Sequence, residues 1–260
     1  MEIIVQNVIK SSLTIVVPTL NEENNIVPLV ERIDASMKKD AEQYTILFID
    51  DRSTDKTVEV IKSLSSKYPV SYETKDGLSG KAQSIIQGVK SASSEYVCMI
   101  DADLQYSPEE IPAMIRMLRR GNADVVISTR TEQKTSPLRK IMTTTFHTVF
   151  VKWLYGIDYD TQSGLKVFKK SSFEGMNLNP SPWSFDLEFI VKSLQNGSRI
   201  MTHDILFNVR NSGEAKINTF TSSIELIKSS LLLRTRISGR KVRSEYGKNK
   251  FMDKSLGGAA

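Results

Sequence analysis

Five short apolar runs, Leu13 to Val17, Tyr44 to Ile49, Val70 to Glu73, Tyr96 to Ile100 and Val125 to Ser128, are rich in β-branched residues and read as strands. Between them lie Asn24 to Met37, Thr54 to Lys67, Ser79 to Ser91 and Pro108 to Arg120, with apolar residues at helical spacings of three and four. Ser107 and Glu110 are spaced as a capping box, with Pro108 at the first helical position and Gly121 closing the helix. Four strand-to-helix alternations predict an α/β fold with a mainly parallel central sheet and helices on both faces. At 260 residues the chain is long enough for one such domain, with or without an appendage.

In that architecture ligands dock beyond the carboxyl ends of the strands, and each strand here ends in a polar signature. After the first comes Pro18-Thr19-Leu20-Asn21-Glu22, after the second Asp50-Asp51-Arg52-Ser53-Thr54-Asp55, after the third Gly77-Leu78-Ser79-Gly80-Lys81, and after the fourth Asp101-Ala102-Asp103. Taken singly, each has a plain structural reading: Ser53 or Thr54 as a helix cap, Gly77 as a turn residue, Asp101 and Asp103 as a solvated acidic turn. Taken together on successive strand ends, they describe a nucleotide site.

Alternate side chains of a strand share a face, so Asp101 and Asp103 project together where the fourth strand stops. With the amide oxygen of Gln105 they form a hard, oxygen-only ligand set suited to Mg²⁺ or Mn²⁺. Two familiar phosphate motifs are absent. No G-x-G-x-x-G follows the first strand, and Gly80-Lys81 is no P-loop, because Lys75 stands at the first glycine position and Ala82 at the Ser/Thr position.

The ordered series P-T-L-N-E, D-D-R-S-T-D, G-L-S-G-K-A, D-A-D-L-Q, S-T-R and Q-S-G resembles glycosyltransferases of family 2 with the GT-A fold. Within that family it is most similar to polyprenyl-phosphate glycosyltransferases of the dolichyl-phosphate mannose synthase type, over about residues 12 to 236. The resemblance implies a nucleotide-sugar donor, Mg²⁺ or Mn²⁺, and a polyprenyl phosphate acceptor. It places Pro18, Leu20, Asn21 and Glu22 in the first nucleotide-contacting loop, Asp51 on the base or ribose, and Gly77 to Ser79 beside the nucleotide. Asp101, Ala102, Asp103 and Gln105 match the metal and diphosphate segment. Arg130, Arg139 and Thr143 match positions serving donor and acceptor phosphates. Gln162 lies in a turn beneath the sugar, and Arg210 and Lys216 lie in an acceptor loop at about 208–216. The roles carried over as catalytic are those of Asp103, Arg130, Arg139 and Arg210. Arg52 departs from the glycine or aspartate common in relatives, which changes little because its side chain can point to solvent.

The acceptor decides the chemistry. A sugar hydroxyl needs a carboxylate base, whereas a phosphate monoester, with a second pKa near ~6, is already anionic. In-line displacement at the anomeric carbon inverts it. Asp186 and Glu188, at a helix start, shape the sugar pocket or cap the helix if the acceptor is a phosphate. If it is a glycan hydroxyl, Asp186 is the candidate base. A non-catalytic nucleotide-sugar-binding protein is the other alternative, disfavoured by the intact acidic pair and arginines.

The formal charge of +5 is unevenly spread. From Lys228 to Lys254 nine basic residues face two acidic ones, a net +7 that leaves the rest of the chain at −2. Nucleic-acid binding by the body is therefore not expected. Within 217–243, Ile217, Phe220, Ile224, Ile227, Leu231 and Leu232 recur near helical spacing beside Lys228, Arg234 and Arg236, as in a basic amphipathic helix that lies on a membrane or packs on its own domain. No run approaches the ~18 apolar residues of a spanning helix. The single Cys98, in a core strand, forms no disulfide framework. These features predict a catalytic domain over 1–216, a helical segment over 217–243, a disordered polar tail over 244–260, and a cytoplasmic protein peripheral to the cytosolic membrane face.

Overall fold

The computed structural model describes residues 12–40, 42–132, 151–179, 184–207 and 219–236. Its elements are β1 (Leu13–Thr19), α1 (Glu23–Lys39), β2 (Tyr44–Asp50), α2 (Thr57–Leu64), β3 (Val70–Thr74), α3 (Lys81–Ser91) and β4 (Tyr96–Met99), followed by a 3-10 turn (Pro108–Glu110) that runs into α4 (Ile111–Arg119). Then come β5 (Val125–Glu132), β6 (Lys166–Lys169), α5 (Phe185–Gln195), β7 (Ile200–Leu206) and α6 (Thr219–Arg236). One sheet holds the described strands in the order β3-β2-β1-β4-β6-β5-β7. All neighbours are parallel except β6, which runs antiparallel to both β4 and β5.

Strand alternation divides the core. Leu13, Ile15 and Val17 turn to the layer of α1 and α4, meeting Ile26, Leu29, Ile33, Met114 and Ile115. Val16 and Ile49 turn to α3 and α5, where Ile85, Val89, Phe185 and Phe189 wait. Phe168 of β6 continues that second layer with its ring centroid 5.0 Å from that of Phe189. Gly88 lets α3 lie close on the sheet, since a Cβ there would collide with Val16 and come within 3.0 Å of Ile49. Cys98 is buried in the first cluster, as expected of a core residue.

Two local expectations are corrected. The capping box does not form: Ser107 makes no side-chain cap bond, and the Glu110 carboxylate lies 2.7 Å from His203 Nε2 on β7 instead. Helix α2 starts at Thr57 rather than Thr54, because Asp55 Oδ1 accepts the Thr57 N–H at 3.0 Å and its hydroxyl at 2.5 Å. Arg52 is exposed, in keeping with the sequence, and also donates to the Gly77 carbonyl. Gly121 does close α4, with φ +74° and its N–H 3.0 Å from the Leu118 carbonyl.

Helix α6 packs on the domain through Leu233, which joins the second core layer, while Tyr155 donates its hydroxyl to the Ser230 carbonyl. Leu231 and Leu232 stay exposed. Among the described residues no helix is long and apolar enough to cross a membrane. Arg139, Thr143, the 208–216 loop with Arg210 and Lys216, and the 244–260 tail lie outside the described residues.

Candidate active site

The first two strand ends are laced together by their loops. Asn21, at φ +53°, donates its N–H to Ser53 Oγ (2.8 Å), and its side-chain oxygen accepts the Thr54 N–H (2.7 Å). Glu22 donates its N–H to Thr57 Oγ1 (2.8 Å), and its carboxylate accepts from the Asn25 amide at 2.6 Å. Asp50 holds Ser53 through its hydroxyl (2.5 Å) and amide (3.0 Å). Asn21 and Glu22 thus have framework roles in addition to any contact with a ligand. Pro18 is half-buried at the end of β1, and Leu20 is exposed beside it.

Asp51 sits at the floor of this cradle, almost fully buried. Its Oδ2 takes the Lys75 ammonium at 2.7 Å, the Gly80 N–H at 2.7 Å and the Ser79 hydroxyl at 2.8 Å. Burial pushes this carboxyl up, but Lys75, the Gly80 amide and Ser79 more than reverse that and hold it below the usual carboxylate range. Its other oxygen, Oδ1, is buried with no hydrogen-bond partner among the described residues. A buried acceptor left open is costly unless a donor arrives, so Oδ1 suits an N–H or O–H of a ligand. Gly77 (φ +75°) and Gly80 (φ +118°) adopt left-handed backbone conformations that let the intervening loop wrap this carboxylate.

Asp101 and Asp103 follow β4, with Ala102 buried between them. Asp101 Oδ1 lies 2.5 Å from Lys81 Nζ, the first residue of α3. Its Oδ2 lies against Gly164, where an added Cβ would collide with it and come within 2.7 Å of the Tyr106 ring. The glycine of Q-S-G is therefore required by the close approach of Asp101 and Tyr106. Asp103 Oδ1 accepts the Gln105 N–H at 3.1 Å. Burial and the nearby Asp103 push the Asp101 carboxyl up against the pull of Lys81, while Asp101 and Asp186 hold the Lys81 ammonium above its ordinary value although it is partly withdrawn from water.

Arg130, on β5, forms a forked pair with Asp160, Nε to Oδ2 at 2.6 Å and Nη2 to Oδ1 at 3.1 Å. Its guanidinium lies 5.3 Å from the centroid of the Phe207 ring, which meets Tyr106 edge-on. Asp160 Oδ1 also accepts the Gln162 N–H at 3.0 Å, tying the turn to Arg130. Burial pushes the Tyr106 phenol up to about 12, so it stays neutral.

Among the described residues no cluster of three or more His, Cys, Asp or Glu is arranged to hold a metal. Two carboxylates with oxygen-only chemistry still fit Mg²⁺ or Mn²⁺, ions that often take one or two carboxylates and draw their remaining ligands from water and substrate phosphates.

Residues 14–176 match the family model described as glycosyl transferase family 2. The chain belongs to that family. It is 32% identical over 211 residues to a dolichol-phosphate mannosyltransferase of Pyrococcus furiosus, an alignment covering 78% of this chain and 58% of the relative, so the chain spans little more than half of that protein. It is 24% identical over 236 residues to a dodecaprenyl-phosphate galacturonate synthase of Rhizobium johnstonii, covering 85% of this chain and 67% of the relative. The solved structure of glucosyl-3-phosphoglycerate synthase from Mycobacterium tuberculosis, in complex with Mn²⁺, UDP-glucose and phosphoglyceric acid, superposes with a TM-score of 0.70 at 17% identity over 86% of this chain and 80% of that one. The sheet and helices are those of the GT-A fold.

Three lysines at this family 2 site escaped sequence reading. Lys75 and Lys166 have no exposed side-chain surface. Lys166 projects from β6 to the Asp186 carboxylate and the Ser163 carbonyl, and burial pulls its ammonium down. Lys81 is the third. The signals were present: Lys166 interrupts the apolar run Leu165 to Phe168, and Lys75 and Lys81 flank the glycine loop. Glu188 turns from the site to Lys192 at 2.7 Å and to the Asn179 N–H at 3.1 Å.

Proposed function

We propose that this chain transfers one hexose from a nucleotide sugar to a polyprenyl phosphate, with inversion at the anomeric carbon, at the cytosolic face of a membrane. The observation that carries the reading is the state of Asp186. Its carboxylate is paired with a lysine whose side chain is wholly buried, which makes it a poor free base. A lipid phosphate needs no such base, because it arrives as an anion. The names of the Pyrococcus and Rhizobium relatives, both polyprenyl-phosphate enzymes, point the same way.

The residues divide the task. Asp51 Oδ1, with its open acceptor, receives the base or ribose of the donor, and the 77–80 loop borders it. Asp101 and Asp103, with Gln105 beside them, hold a divalent ion that, when bound, neutralises charge on the nucleoside diphosphate. Arg130, locked by Asp160 and Phe207, presents a fixed positive face to phosphate. Gln162 is held in the turn beneath the sugar, while Arg139, Thr143, Arg210 and Lys216 are assigned to phosphates on the resemblance alone. For the membrane, Trp153 is 79% exposed and Leu232 56% exposed, with Lys228 and Arg234 on the same helix as Leu232.

The test incubates the protein with Mg²⁺, a polyprenyl phosphate and, in turn, radiolabelled GDP-mannose, UDP-glucose and UDP-N-acetylglucosamine, and counts label in the organic phase. Label that extracts with the lipid and is lost in Asp103→Ala supports the reading and names the donor. Label appearing instead on an added glycan overturns it in favour of a hydroxyl acceptor.

A further inference from the structure

Three lysines hold carboxylates at this edge of the sheet, and they differ in one respect. Lys75 and Lys166 have 0% side-chain exposure, whereas Lys81 has 42%. The first two are fixed parts of the interior. Lys81 pairs with Asp101 from the solvent side and has room to leave. Its backbone is anchored regardless of where its side chain goes, because the preceding Gly80 N–H is bonded to Asp51 at 2.7 Å. Two carboxylates one residue apart, one of them buried, repel one another, and a nearby cation offsets that repulsion. Among the described residues Asp101 pairs with Lys81, and its other oxygen faces the wall at Gly164.

We propose that Lys81 is a tethered counter-cation that occupies Asp101 in the metal-free protein and gives it up to a divalent ion. The proposal rests on the reading of Asp101 and Asp103 as metal ligands. It adds that ion affinity is set by competition with Lys81, a group outside the ligand set. Lys81 released from Asp101 keeps the longer-range pull of Asp186 but loses its ion-pair contact, and a nucleoside diphosphate offers it a new anion. Ion and nucleotide therefore bind with positive cooperativity, and this side chain carries it.

The experiment titrates the protein with Mn²⁺ alone and follows free Mn²⁺ by electron paramagnetic resonance, then repeats the titration with UDP and with GDP. Lys81→Gln is expected to bind Mn²⁺ alone more tightly, on the order of tenfold after allowance for solvent screening, and to lose most of the enhancement by nucleotide. Lys81→Arg, which keeps the cation, is expected to behave as the parent. Lys81→Gln binding no more tightly than the parent, while Asp103→Ala abolishes binding, would overturn the role of Lys81 and leave the metal site standing. Lys81→Arg tightening as glutamine does would also overturn it. Mn²⁺ binding that is indifferent to Asp103→Ala would remove the metal site and the inference together.

Discussion

Asp51 shows how a single carboxylate joins stability to recognition. One oxygen is saturated by Lys75, Gly80 and Ser79, and the other, buried, has no partner among the described residues. Removing Lys75 would strand a buried charge, which costs about 3–5 kcal/mol. Lys75→Met is therefore expected to lower unfolding free energy by that order in urea titrations at pH 7. Its loss relative to the parent should shrink as pH falls below about 4. The sign follows from the direction of the shift: the folded carboxyl lies below its unfolded value, so the stabilisation is present above the unfolded pKa and lost as pH falls through the folded one. The carboxylates of this site were legible in the sequence because they end apolar strands. Their lysine partners were not, because a lysine is read as solvated until the fold shows what surrounds it.

At the scale of elements, β1 to β5 were legible as β-branched runs and α1 to α4 as periodic segments between them. Strand β6 was hidden. It has four residues, two of them lysines, and Asp186 and Ser163 make the inward Lys166 tolerable. The capping-box pattern at Ser107 misled because His203, almost a hundred residues later, takes the Glu110 carboxylate. Asp124 shows the same reach across the chain. Arg199 grips it with a side-chain fork of 2.9 and 3.1 Å and its backbone N–H at 3.0 Å, and Lys169 adds a fourth contact at 2.9 Å, so the start of β5 is tied to β6 and β7. Arg199 first, and then Lys169, hold this carboxyl well below the usual range against burial. Asp124→Asn is expected to melt a few degrees lower at pH 7, about 3 °C. The difference should disappear on acidification through and below the ordinary carboxylate range, because the stabilisation of a depressed carboxyl is lost as pH falls. A difference that persists unchanged at pH 2 in calorimetric scans would contradict this.

Over the whole molecule, positive charge is concentrated at the C-terminal end. The body is close to neutral, and the excess of nine basic over two acidic residues belongs to Lys228 to Lys254. Trp153, Leu231 and Leu232 add exposed apolar surface, while Leu233 anchors α6 to the domain. The sequence raised membrane contact and packing on the domain as alternatives for this helix; the packing is observed, and the outward leucines leave membrane contact open to test. Flotation with vesicles containing phosphatidylserine is expected to carry the protein at low salt and to release it as ionic strength rises, with less retention for Trp153→Ser. Equal flotation with neutral vesicles would contradict an electrostatic contribution.

The central claim is that the acceptor is a phosphate and that the protein supplies positive charge rather than a base. It is tested most directly by offering a polyprenyl phosphate and the same polyprenol without its phosphate, each with Mg²⁺ and the labelled donor. The account predicts label only on the phosphate-bearing lipid. Label on the free alcohol at a comparable rate would contradict it, and would require a base that the pairing of Asp186 with Lys166 does not provide.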